Sequence, residues 1–169
     1  MSTAAAITGL VDVLVITVYG TPAPQGSKRA FRNQHTGRIQ QVESSKRVRP
    51  WREAVKHAAL DAARFEDWPT PHPVAVEVTF TFARPKSHYR TGRNAHLLRE
   101  NAPAFPAGKP DLDKTVRSTL DALTDAGIWT GDEQVAEIVA RKRYPHTHPD
   151  ALPSPGAVIR IRELRKELP

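Results

Sequence analysis

Three acidic points punctuate one stretch of a basic chain, KPDLDKTVRSTLDALTDAGIWTGDEQV over 109–135. Asp111 and Asp113 stand one residue apart just after Pro110, and Asp132 with Glu133 closes the stretch. Carboxylate oxygens suit a hard divalent cation such as Mg2+, which commonly takes one or two carboxylates and completes its shell with water and phosphate oxygens. Such an ion polarises phosphoryl oxygens, acidifies a bound water and neutralises a leaving alkoxide. The chemistry indicated is hydrolysis of a phosphodiester. The same residues also admit a structural role: Asp111 as a helix N-cap, Asp113 and Arg117 as an i,i+4 ion pair, and Asp132 as a turn residue. The D-x-D spacing alone does not separate the two.

These carboxylates need elements to aim them. Leu112, Val116, Leu120 and Leu123 recur at helical spacing, which predicts an amphipathic helix starting near Asp111, with Asp113, Arg117 and Asp121 on another face. Gly127 ends it, and Trp129, Thr130 and Gly131 turn the chain so that Asp132 arrives beside a strand beginning at Val135. In front of the aspartates, residues 84–110 show no period and carry Arg84, Lys86, Arg90, Arg93 and Arg99. A loop of that length is usually functional or disordered, so it reads as a mobile flap gripping a substrate or as a floppy insertion.

Elsewhere, strands are expected at 11–19, 74–82, 135–144 and 157–164, where β-branched and aromatic residues run or alternate. Residues 26–41 are polar and glycine-bearing, a loop or an irregular hairpin. Pro50 suits the first position of a second helix, whose apolar stripe is Trp51, Val55, Ala58, Ala62 and Phe65. Trp51 is read as a core anchor. The expected fold is α+β, a small mixed sheet of about four strands packed with two main helices. Residues 1–10 read as a flexible leader and 11–169 as a single domain.

The charge balance indicates the partner. Lys and Arg number 25 against 18 Asp and Glu, a net charge of +7, and such an excess suits nucleic acid. Nine of the cations fall between Lys28 and Lys56, against two Glu. Lys28, Arg29, Arg32, Lys46 and Arg47 are the candidate DNA-backbone contacts, because Lys and Arg neutralise phosphates and release counterions; the alternative reading is a solvated basic surface on a merely basic protein. The absence of cysteine excludes disulfides, zinc thiolates and cysteine nucleophiles and fits a reducing cytoplasm. No apolar run approaches the roughly 18 residues of a membrane span. His146 and His148 form an H-x-H without further obvious ligands, so they read as loop histidines.

The run PDLDKTVRSTLDALTDAGIWTGDEQV resembles the signature of the RusA family of Holliday junction resolvases: P-D-x-D-N, a Lys four residues after the second Asp, D-A-L, a Gly turn, then D-D-x-Q-V. The likeness is strong over about 27 residues and weak across the opening strand and the Trp51 helix. It implies a small homodimer, common on phages and prophages, that cuts four-way DNA junctions symmetrically with Mg2+. By position, Asp111, Asp113 and Asp132 match its catalytic aspartates and would be metal ligands, Asp121 matches the Asp of D-A-L, and Gln134 and Val135 complete the motif. Three positions depart. Lys114 stands for the usual Asn, Gly131 for the first acid of the pair, and Arg117 for a functional Lys. Arg117 stays charged and stabilises phosphate without shuttling a proton; Lys114 is the alternative ammonium. The expected activity is Mg2+-dependent cleavage of branched DNA by a dimer with two matched sites. The rivals are a non-catalytic branched-DNA-binding protein derived from a nuclease, and an enzyme acting on flap DNA or structured RNA.

Overall fold

The computed structural model describes residues 13–26, 29–42, 46–64 and 68–165. The leader, Lys28 and Phe65 lie outside them. Among the described residues six strands form, β1 (Val13–Tyr19), β2 (Arg29–Arg32), β3 (Ile39–Val42), β4 (Val74–Thr81), β5 (Val135–Arg143) and β6 (Gly156–Glu163), with two α-helices, α1 (Val48–Ala62) and α2 (Leu112–Asp125). The main sheet has the order β1-β6-β4-β5, antiparallel except for the β4/β5 pair. A parallel neighbour needs a crossover connection, and here residues 82–134 supply it, α2 included. The expected mixed four-stranded sheet with two helices is the observed architecture. The polar segment at 26–41 is a hairpin, β2 against β3, closed by Asn33 Oδ1 accepting the His35 and Thr36 N–H groups.

Period-two burial in β1 places Leu14, Ile16 and Val18 inside and leaves Val15 and Tyr19 exposed. They meet Val74, Val76, Val78 and Phe80 of β4 and Ile159 and Ile161 of β6 in one core, which both helices cover. At its centre is Trp51, 1% exposed. Its indole N–H donates to Thr119 Oγ1 on α2 at 3.1 Å, the partner a buried Trp requires. A bulky indole from α1 at this interface favours small side chains on most of the facing surface of α2. The buried face of α2 is therefore Thr115, Ser118, Thr119, Ala122 and Leu123. The expected stripe of Leu112, Val116 and Leu120 packs only partly buried on the flank.

Two further expectations are corrected. α1 begins at Val48, so Pro50 is its third residue and not its first; it is still in the turn whose N–H groups lack intrahelical acceptors. The buried stripe passes through Ala59, with Ala58 and Ala62 partly buried. α2 ends as expected at Gly127, φ 74°. The Gly127 N–H bonds the Thr124 carbonyl and the Ile128 N–H bonds the Leu123 carbonyl, with Ile128 and Leu123 both buried.

The segment 84–110 is folded. It contains two short 3-10 turns and a bridge between Tyr89 and Leu98. Arg84 donates to the Pro103 carbonyl, Arg90 to that of Leu98 and Arg99 to that of Tyr89. Three arginines expected to grip a substrate thus bind the segment's own backbone. His148 Nδ1 accepts the Asp150 N–H within its turn.

Candidate active site

Asp111 stands at the N-cap position of α2 with extended backbone, and its carboxylate makes no capping bond. It accepts instead a hydrogen bond from Lys114 Nζ at 2.8 Å. That bond and the Lys114 charge, aided by Lys109 and Lys142, hold the Asp111 carboxyl below the usual range. Asp111, with a smaller contribution from Asp113, holds the Lys114 ammonium above its own. A cation therefore already sits in the field of both aspartates, and the donors around it are carboxylate oxygens. This donor chemistry fits a hard divalent ion completed by water and phosphate.

The chain reaches Asp111 through Gly108, Lys109 and Pro110, whose position is set from β5. Lys142 Nζ donates to the Gly108 carbonyl at 2.5 Å and the Pro110 carbonyl at 2.9 Å. Asp113 and Arg117 are exposed, and among the described residues no ion pair joins them. Asp121 is a tie between the helices: Arg52 of α1 reaches it at 3.7 Å and reaches Asp125 at 2.5 Å.

A cleft of about 670 Å3 opens beside Asp111 and Lys114, and its walls include Lys46, Arg47 and Lys109. Residues 21–26 form one wall as a strap laid on α2. Ser118 Oγ donates to the Ala23 carbonyl at 2.6 Å, and the Gln25 N–H bonds the Lys114 carbonyl at 3.0 Å. A second groove shares Lys46 and continues along α1 past Arg49 and Lys56. Two of the five expected DNA contacts, Lys46 and Arg47, thus line the cleft that holds Asp111. Arg32 is exposed and donates to the Gly37 carbonyl of its own hairpin. Arg29 lies in β2, and Lys28 falls outside the described residues.

Asp132 opens a 3-10 turn, Asp132–Gln134, that touches α2 just before β5. Gln134 anchors this turn. Its Oε1 accepts the Thr130 N–H, and its Nε2 donates to the Thr70 and His72 carbonyls. Where the motif has an acid, Gly131 leaves space, and the Glu133 carboxylate fills it: a Cβ at Gly131 would run into that group. Among the described residues no three acidic or histidine side chains form a ready-made metal cluster. The fold places Asp111 and Asp113 at one helix terminus and Asp132 on a neighbouring turn, without gathering the three carboxylates.

Sequence reasoning missed Lys142, Ser118 and the position of Glu133. Lys142 lies in a run of three cations, 141–143, where spacing alone cannot tell which one turns toward the aspartates. Ser118 carries no local signal, because the carbonyl that it bonds, Ala23, lies 95 residues away in the chain.

A family model described as Endodeoxyribonuclease RusA matches residues 20–152 of the 169. No curated protein matches the chain. The matched span contains both helices, β4, β5 and every side chain of the site just described. The chain belongs to the RusA endodeoxyribonuclease family.

Proposed function

We propose that this protein is a Mg2+-dependent endonuclease that resolves four-way DNA junctions as a homodimer, by paired symmetric cuts. One observation carries the reading: the Asp111 carboxylate shares a cleft with Lys46 and Arg47, which were expected on charge alone to hold a DNA backbone. Asp111, Asp113 and Asp132 would hold the ion, which when bound polarises the scissile phosphate and acidifies water. Lys46 and Arg47 neutralise flanking phosphates and set the strand in the cleft. Lys114 balances Asp111 until the substrate complex forms and then faces the phosphate oxygens. Arg117 stabilises the charge that builds on phosphorus and holds its proton throughout. A two-fold junction cut at matched positions calls for two symmetric sites, which is the argument for a dimer. No helix among the described residues is long and apolar enough to cross a membrane.

The test is a labelled four-way junction incubated with the purified protein, with and without Mg2+. Paired nicks that require the ion are expected. Cleavage of a linear duplex at the same rate overturns the junction assignment. The ungathered carboxylates favour one second reading, a branched-DNA-binding protein that has lost cleavage; tight junction binding without nicks in Mg2+ would establish it.

A further inference from the structure

The segment that delivers the aspartates is held in an unusual way. Among the described residues, no backbone–backbone hydrogen bond ties 103–110 to the rest of the protein. Side chains do so. Arg84 bonds the Pro103 carbonyl at 2.8 Å, the Arg143 guanidinium lies 5.1 Å from the Phe105 ring, and Lys142 bonds the carbonyls of both Gly108 and Pro110. Of these, only the Lys142 contacts adjoin the catalytic pair.

Lys142 is well placed for this. It lies on β5 opposite Phe80 of β4, and Phe80 is fully buried. Its ammonium has three donors and no acceptor; two donors are taken by the carbonyls, and the Phe82 ring lies 5.8 Å from the charge. We propose that Lys142 is the positioning residue of the site, a clamp from the rigid sheet that fixes residues 108–110 and so sets where Asp111 and Asp113 meet the divalent ion and the phosphate. The clamp lends Asp111 part of its low proton affinity as well. This rests on the nuclease reading for its catalytic consequence, but the clamp itself does not.

Lys142→Met keeps the stem and removes the donors; Lys142→Arg keeps charge and donors. Three quantities are measured on each full-length variant: amide exchange at 111–113, affinity for Mn2+ alone, and single-turnover junction cleavage beside junction affinity. For Lys142→Met the expected results are faster exchange at 111–113, and Mn2+ affinity and cleavage each down by about 10–100-fold, as when a group supporting metal ligands is lost. Junction affinity should stay within about threefold, because the loss of one cation changes little of a many-contact interface. Lys142→Arg should recover most of the loss. Unchanged exchange and Mn2+ affinity in Lys142→Met overturn the clamp. A fall in junction affinity matching the fall in cleavage, or no recovery in Lys142→Arg, also overturns it. If the wild type binds but never cuts, the nuclease reading fails alone, and exchange and Mn2+ titration still decide the clamp.

Discussion

Ser118→Ala probes how the cleft wall is held. Ser118 is fully buried, and Ala23, whose carbonyl it bonds at 2.6 Å, is 1% exposed. Its hydroxyl has one hydrogen, and the Thr115 carbonyl, 2.9 Å away, is the farther acceptor. Removing the donor strands the Ala23 carbonyl, at about 1–3 kcal/mol for a buried unsatisfied group. Alanine's better helix propensity returns roughly 0.5 kcal/mol. The net is a loss of about 1.5 kcal/mol, and at about 2–4 °C per kcal/mol for a domain of this size the midpoint should fall by about 3–6 °C. Thermal unfolding by circular dichroism reads the shift, with Ser154→Ala, exposed in a turn, as a control expected within about 0.5 kcal/mol of wild type. Amide exchange at Gln25 should quicken with the loss, because its bond to the Lys114 carbonyl lies on the same strap. A midpoint unchanged to within a degree refutes the reasoning, since it means that water reaches the Ala23 carbonyl.

Other outcomes follow from the same geometry. Asp113→Asn should leave junction binding intact in a gel-shift assay and slow cleavage by at least about 100-fold, since an acceptor of full negative charge is lost where a cation must sit; loss of binding would mark Asp113 as structural. Lys46→Ala with Arg47→Ala should weaken the junction complex and lower the slope of log Kd against log salt by about two, one per phosphate contact; an unchanged slope would remove both from the interface. Asp150 is held below the usual carboxylate range by its hydrogen bond from Arg160. A depressed folded value means that this stability is present above the ordinary value of 3.8 and is lost as pH falls through the folded one. Asp150→Asn should therefore lie below wild type in thermal midpoint at pH 7, the two converging in acid; a gap that persists unchanged in acid would exclude this pair as its source.

Much of this protein was legible before any coordinates. Alternation marked the Val74–Phe80 series because a strand's side chains change face at every residue, and the β-branched run at 11–19 marked a strand, though only Leu14, Ile16 and Val18 of its described core residues turn inward while Val15 and Tyr19 are exposed. Gly127 marked the end of α2 because the required backbone suits a residue without Cβ. The D-x-D pair, the Gly turn and the D-E-Q-V run marked the family whose model matches residues 20–152, and the one-sided charge of 28–56 pointed to a polyanion as the expected partner. The tertiary structure decided what spacing along one chain cannot express. It turned α2 by the bulk of Trp51, so that Thr115, Ser118 and Thr119 face inward. It folded 84–110 through arginines bonded to nearby carbonyls, and it aimed Lys142, not a neighbouring cation, at the residues before Asp111. It also moved the Glu133 carboxylate into the space left at Gly131. Each of these is a contact between parts of the chain brought together by the fold, and its geometry depends on the volume and donors of a partner that local periodicity does not encode.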